Sequence, residues 1–160
     1  MTERFYPAAV GADAIDLTSA LPSPIEVQKD SVEGGMRILI VDDSALMRRI
    51  VGNALREAEL ELDEVVEAGN GVEGIAALEK YQNCFDLILC DVHMPALDGV
   101  GFLRERAARR LATTPVLMVT ADASDPLVER AMAEGARGFI AKPFSAERIR
   151  DQALALAETA

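Results

Sequence analysis

Five polar residues stand directly after short apolar runs of the chain, and their types could hold a metal and a phosphoryl group. Asp42 and Asp43 follow the first run, Asp91 follows a later one, and Thr120 and Lys142 follow two more. If each run is a parallel strand, these side chains meet at the carboxyl edge of one sheet, where ligands bind in such folds. Three carboxylates at one edge repel each other unless a cation joins them, and their oxygens suit Mg²⁺. A hydroxyl and an ammonium beside that metal could receive a phosphoryl group.

The elements that must position these residues alternate five times from Met36 onward. We predict strands over residues 38–41, 65–66, 87–90, 116–119 and 138–141. We predict helices over residues 45–57, 72–81, 99–111, 126–134 and 146–156. This alternation favours right-handed crossovers and a doubly wound α/β domain with a parallel sheet. The runs 87–90 and 116–119 are apolar on both faces, as expected for inner strands with helices on each side.

The composition excludes several classes of function. The chain has 160 residues, 16 Lys and Arg against 27 Asp and Glu, and a net charge of −11. Such a charge argues against nonspecific nucleic-acid binding, because the phosphate backbone would be repelled. No apolar run approaches the ~18–20 residues that span a bilayer, and the start lacks the core of a signal peptide. We therefore expect a cytoplasmic protein with neither nucleic acid nor membrane as partner.

Residues 1–35 differ from the rest and predict a separate extension. They contain three of the seven prolines, end in Gly34-Gly35 and show no sustained hydrophobic period. We interpret them as an irregular extension with at most a short helical turn around residues 12–20, and residues 36–160 as one domain. One hypothesis makes Met36 the physiological start, because Val32-Glu33-Gly34 can be encoded by a purine-rich ribosome-binding pattern. The alternative is a genuine tether or docking segment, and N-terminal mass analysis of the native protein distinguishes the two.

Four segments together resemble the receiver domains of two-component response regulators. They are Arg37-Ile-Leu-Ile-Val-Asp-Asp-Ser44, Asp86-Leu-Ile-Leu-Cys-Asp-Val-His-Met-Pro95 with Asp98-Gly99, Pro115-Val-Leu-Met-Val-Thr-Ala121 and Gly138-Phe-Ile-Ala-Lys-Pro-Phe144. Their order and spacing cover nearly all of the chain beyond the extension. The resemblance implies a flavodoxin-like fold: a five-stranded parallel sheet in the order 2-1-3-4-5, flanked by five helices.

The resemblance also implies roles for the residues at the sheet edge. Asp91 would be the phosphoacceptor, attacking the phosphohistidine of a sensor histidine kinase. Asp42, Asp43 and the backbone carbonyl of His93 would hold Mg²⁺ together with Asp91. Lys142 would pair with the phosphoryl oxygens.

A conformational switch is the next implication of the resemblance. The hydroxyl of Thr120 would move toward the new phosphate and vacate space into which Phe139 rotates. His93 and Asp122 would tune the lifetime of the phosphoryl group, in a direction that the sequence does not give. The remodelled face, which would bind a downstream target protein, runs from Pro126 to Glu134, Gly138 to Ala141 and Ala146 to Leu156.

Other functions stay open at this point. A phosphorelay intermediate would pass the phosphoryl group on to a histidine phosphotransfer protein. A phosphohydrolase with an aspartyl nucleophile is a further alternative, but those related to haloacid dehalogenases need a second Asp two residues later, where this chain has His93. An FMN carrier needs a phosphate loop after the first strand, where this chain has Asp42-Asp43-Ser44. We favour a stand-alone regulator of the chemotaxis type, limited in catalysis to its own phosphorylation and dephosphorylation, because the run Val-Asp-Asp-Ser-Ala-Leu-Met-Arg-Arg resembles such regulators.

Overall fold

Strands and helices alternate through the part of the chain that a computed structural model describes, residues 34–111 and 113–158. The strands are β1 Met36–Val41, β2 Leu62–Ala68, β3 Leu87–Asp91, β4 Val116–Thr120 and β5 Gly138–Ala141. The helices are α1 Ala45–Glu57, α2 Gly71–Lys80, α3 Gly99–Ala108, α4 Pro126–Ala133 and α5 Ala146–Glu158. Apart from Gly34 and Gly35, the predicted extension lies outside the described residues.

All strand pairs are parallel, and the sheet has the order β2-β1-β3-β4-β5. The chain first crosses from β1 to β2 and then returns to place β3 on the other side of β1. The order therefore reverses between β1 and β3, which makes their carboxyl ends the switch point where ligands bind in open α/β sheets. This topology confirms the predicted doubly wound fold and its strand order.

Two apolar clusters cover the two faces of the sheet. In β1, Leu39 and Val41 point into one cluster while Ile38 and Ile40 point into the other, because successive side chains of a strand alternate. The first cluster takes its helical side chains from α2, α3 and α4, and the second from α1 and α5. The inner strands are thus buried on both faces, as their continuous apolar runs predicted.

β2 and α3 differ most in length from the sequence prediction, whereas the ends of the other elements agree with it to within two residues. β2 extends over Leu62–Ala68 instead of 65–66, because it is an edge strand that carries exposed acids between its apolar residues. α3 ends at Ala108 instead of 111, and Arg110 adopts a left-handed conformation with a φ of 60°. None of the described helices is both long and apolar enough to cross a membrane.

Candidate functional site

The turn between β1 and α1 carries the first two carboxylates of the site. Asp42 is 3% exposed, and its backbone N–H donates to the carbonyl of Ala68 at 3.1 Å, which extends the pairing of β1 with β2. One oxygen of its carboxylate accepts the N–H of Ser44 at 2.9 Å. The Ser44 hydroxyl in turn caps α1 by accepting the N–H of Met47. Only three residues therefore separate the strand from the helix, and Asp43 is left exposed at the turn.

The third carboxylate ends the neighbouring strand. Asp91 is the last residue of β3, its side chain is 13% exposed, and its Oδ1 accepts the N–H of Val92 at 2.9 Å. Because β1 and β3 pair directly, this carboxylate lies beside the β1–α1 turn. One oxygen from each of Asp42, Asp43 and Asp91 lies within 4.8 Å of the other two. The structure thus brings together the three carboxylates that the sequence placed at one edge.

A single ammonium faces two of these carboxylates. The backbone N–H of Lys142 donates to the carbonyl of Thr120 at 2.7 Å, which places the residue just beyond β5. Its Nζ lies 3.6 Å from Asp42 Oδ2 and 3.7 Å from Asp91 Oδ1, and the side chain is 20% exposed. One unit of positive charge against three carboxylates leaves the cluster negative.

The electrostatics of Asp91 reflect this uncompensated charge. Burial raises the pKa of its carboxyl, and the charge of Asp42 raises it further, whereas Lys142 and the N–H of Val92 act in the opposite direction. The net result is a pKa above the usual range of an aspartate. Three hard oxygen donors and an excess of negative charge fit a divalent cation such as Mg²⁺. The residues present therefore suit the metal that the sequence implied.

Thr120 and Phe139 lie on the neighbouring strands β4 and β5. Thr120 ends β4 and is 1% exposed. Its hydroxyl donates to the carbonyl of Asp122 at 3.0 Å and accepts the N–H of the same residue at 3.1 Å. Phe139 is 38% exposed, although it belongs to a strand that pairs with β4. The threonine is thus buried beside the site, while the aromatic ring is partly in solvent.

His93 and Asp122 lie on two loops beside the carboxylates but have different partners. The imidazole Nε2 of His93 pairs closely with Asp125 Oδ2, and this hydrogen bond raises the pKa of His93. Asp122 instead accepts hydrogen bonds from the N–H and hydroxyl of Ser124, which lower the pKa of its carboxyl. His93 therefore connects the loop after β3 to the start of α4, which Asp125 caps.

Sequence reasoning missed two contacts of this site. Asp125 was not singled out, although an Asp before Pro126 at a helix start is a recognisable capping signal. Arg48 was also missed. Its Nη1 donates to the backbone carbonyl of Asp42 at 2.7 Å, and no local pattern indicates that an arginine on α1 reaches back to this turn.

Comparison with known proteins agrees with this geometry. The family model "Response regulator receiver domain" matches residues 38–154. The chemotaxis protein CheY of Pseudomonas aeruginosa is 41% identical over 119 residues, 73% of this chain and 92% of that protein. The structure of the Vibrio cholerae chemotaxis protein CheY4 covers 76% of this chain and 98% of its own, with a TM-score of 0.65 and 33% identity.

A third similar protein was solved with a metal. It is the receiver domain of the sensor histidine kinase PA1611 from Pseudomonas aeruginosa PAO1, with a magnesium ion coordinated in its active-site cleft. It covers 78% of this chain and 99% of its own, with a TM-score of 0.67 and 25% identity. From residue 38 to residue 154, the present chain belongs to the response-regulator receiver family.

Proposed function

We propose that this protein is a cytoplasmic response regulator that accepts a phosphoryl group from a sensor histidine kinase onto Asp91. The observation that carries the proposal is the cluster of three carboxylates with Lys142 at the carboxyl ends of β1 and β3. A carboxylate oxygen of Asp91 attacks phosphorus, the P–N bond of the kinase phosphohistidine breaks, and its electron pair returns to the imidazole. The product is an acyl phosphate on Asp91.

The other residues of the cluster bind the metal and neutralise the charge of the phosphoryl group. Asp42, Asp43 and Asp91, with the backbone carbonyl of His93, hold Mg²⁺, which when bound offsets the charge of the transferring group. Lys142 offers an ammonium to the phosphoryl oxygens as a point charge. We propose no turnover of an external phosphate ester, because His93 stands where the related hydrolases need an acidic residue. Self-phosphorylation and self-dephosphorylation are then the only reactions.

The acceptor role is tested with acetyl phosphate and Mg²⁺, followed by intact-mass measurement of the protein. We expect one added phosphoryl group on the wild type and none on Asp91→Asn. Asp63→Asn serves as matched control, since Asp63 is an acid on β2 outside the cluster. Uptake by Asp91→Asn equal to that of the wild type would contradict the assignment, and rapid hydrolysis of p-nitrophenyl phosphate would favour a hydrolase.

We infer that phosphorylation changes the face made by residues 126–134, 138–141 and 146–156, hereafter the output face. Three large apolar side chains on it are exposed: Met132 by 39%, Phe139 by 38% and Leu154 by 44%. Exposed apolar groups on neighbouring elements are typical of a protein-binding surface. The relative named chemotaxis protein CheY favours a target in chemotaxis or motility. His93 and Asp122, on the loops beside the acceptor, would tune how long the phosphoryl group remains.

The link between acceptor and output face runs through Thr120 and Phe139. When Thr120 exchanges its bonds to Asp122 for the phosphoryl oxygens, Phe139 gains room to turn inward. NMR of the Phe139 ring before and after addition of beryllofluoride and Mg²⁺ tests this switch. We expect a large shift in the wild type, a strongly reduced one in Thr120→Ala and none in Asp91→Asn. An undiminished shift in Thr120→Ala would remove the threonine from the mechanism.

A further inference from the structure

Arg48 connects the turn that carries Asp42 and Asp43 to the edge strand of the sheet. Its Nη1 donates to the Asp42 carbonyl at 2.7 Å, and its Nε lies 3.7 Å from Glu67 Oε1 on β2. The side chain is only 20% exposed, whereas that of Glu67 is 51% exposed. The guanidinium therefore makes one direct hydrogen bond to the turn and one longer ion pair to the strand.

The carbonyl that Arg48 binds belongs to the peptide between two of the carboxylate-bearing residues. A peptide is planar, so fixing its oxygen also fixes the N–H of Asp43 and the direction in which the chain leaves Asp42. The other polar groups of Asp42 already have partners, namely Ala68 for the N–H and Ser44 for the carboxylate. Without Arg48, this peptide would lose the hydrogen bond that connects it to α1.

The α1 backbone does not supply this hydrogen bond. The helix begins at Ala45, and the N–H of Arg48 donates to the carbonyl of Ser44 at 3.0 Å. The hydrogen bond to the Asp42 carbonyl comes instead from the Arg48 side chain, which reaches back past Ser44. A planar guanidinium can bond the carbonyl with one nitrogen while another faces Glu67, which a lysine ammonium cannot reproduce in the same geometry.

We propose that Arg48 is a positioning residue of the divalent-cation site, which it serves by fixing the peptide that presents the carboxylates of Asp42 and Asp43. It does not touch the metal. The inference rests on the proposed Mg²⁺ site, and it makes a prediction of distinctive sign. A positive charge near an acidic cluster repels Mg²⁺. If Arg48 acted only through its charge, its removal would therefore tighten Mg²⁺ binding. If Arg48 positions the peptide, its removal weakens Mg²⁺ binding.

The test measures Mg²⁺ affinity of the full chain by titration calorimetry, with Mn²⁺ binding followed by electron paramagnetic resonance as a second readout. For Arg48→Met we expect about tenfold weaker binding, the lower end of the effect of losing a partner that orients a metal ligand. Arg48→Lys keeps the positive charge but loses the planar guanidinium. We expect this variant to bind Mg²⁺ more weakly than the wild type. Arg49→Met is the matched control, because it removes the same charge from an exposed neighbour on α1. It should bind as well as the wild type or slightly better.

The outcomes separate this inference from the function on which it rests. A wild type that binds no Mg²⁺ at millimolar concentration overturns the proposed metal site. A wild type that binds Mg²⁺, with Arg48→Met binding equally or more tightly, overturns the positioning role alone. Circular dichroism with EDTA shows whether each variant is folded. If Arg48→Met does not fold, Arg48→Lys and Glu67→Gln decide: both should weaken binding, and unchanged affinity in both contradicts the inference.

Discussion

At the scale of single residues, the ammonium of Lys142 and a divalent cation would compete for the same carboxylate oxygens. Lys142 lies 3.6 and 3.7 Å from oxygens of Asp42 and Asp91, which is close enough for an attraction of about 4 kcal/mol at an effective dielectric constant near 20. A divalent cation would interact with the same oxygens. Lys142 therefore holds the metal-free cluster together, and it opposes the metal that the cluster is suited to bind.

Replacing Lys142 with methionine separates these two effects. We expect Mg²⁺ to bind several times more tightly, because roughly 1 kcal/mol of repulsion between the ammonium and the metal is removed, even with strong solvent screening. Phosphoryl uptake from acetyl phosphate at saturating Mg²⁺ should fall, since the phosphoryl oxygens lose their ammonium partner. Calorimetry gives the affinity and intact mass the uptake. Lys80→Met on α2 is the control, and unchanged affinity in Lys142→Met would contradict this account.

At the scale of elements, burial decides what the sequence predicted well. β3 and β4 were placed to within one residue because both faces of each strand are buried and the run of apolar residues is continuous. β2 was predicted at 65–66 only, since an edge strand that keeps Glu64 and Glu67 in partial contact with water breaks the apolar run.

The same reasoning applies to the site. Asp42, Asp43, Asp91 and Lys142 were predicted to converge because the end of a parallel strand fixes where the next residue lies. The contacts of Arg48 with Asp42 and of Asp125 with His93 depend on where long side chains reach across loops. Neither hydrophobic period nor strand position encodes such contacts. Strand ends could therefore be predicted from the sequence, while the groups that support them could not.

The packing of α3 against the end of β3 depends on a glycine. A Cβ built on Gly99 would lie 2.6 Å from both the backbone oxygen of Asp91 and Met118 Cε, and 3.1 Å from Val92 Cα. The N–H of Gly99 also donates to the carbonyl of Val92 at 2.9 Å, so the helix cannot simply move away. The absence of a side chain at this position thus lets α3 start against the strand that carries the proposed acceptor.

We expect Gly99→Ala to lower the free energy of unfolding by about 2 kcal/mol, the usual scale of overpacking, and to weaken Mg²⁺ binding by displacing Asp91. Gly52→Ala in α1 is the contrast. Its Cβ would meet only the flexible end of Arg56, at 3.3 Å. Alanine should therefore stabilise that helix by up to about 1 kcal/mol. Urea unfolding measures both variants. Equal changes in the free energy of unfolding for the two substitutions would show that close packing of Gly99 against the end of β3 does not limit stability.

At the scale of the whole molecule, part of the negative net charge is concentrated at one edge of the sheet. Residues 36–160 carry 14 basic and 21 acidic side chains, a net charge of −7 within the total of −11. Three of these acids form the cluster at the sheet edge. Among the residues that the structure describes, the buried members of both apolar clusters lie between Ile38 and Leu156. Electrostatic repulsion in the metal-free protein therefore has two parts. The diffuse part comes from acidic side chains spread over the domain, and any salt screens it. The local part comes from the three clustered carboxylates, and a bound divalent cation should relieve it.

Magnesium should stabilise the folded protein by linkage, because the unfolded chain does not bring these three carboxylates together. At a free Mg²⁺ concentration of about 100 times Kd, the gain is about 2.7 kcal/mol. For a domain of this size, it corresponds to a rise in Tm of roughly 10 °C. Asp43→Asn, which replaces one exposed carboxylate with a neutral amide, should lose most of this rise. The variant keeps the buried pairing of Asp42 with Lys142.

The diffuse part of the repulsion is measured with KCl at the ionic strength of the Mg²⁺ sample. Salt screens exposed charges at any position, and it should raise the Tm of the wild type and of Asp43→Asn by the same small amount. Mg²⁺ should exceed that amount only where the cluster is intact. If KCl reproduced the whole rise, or if Asp43→Asn responded to Mg²⁺ as the wild type does, the stabilisation would be general screening. The acidic edge would then have no specific role in binding the metal.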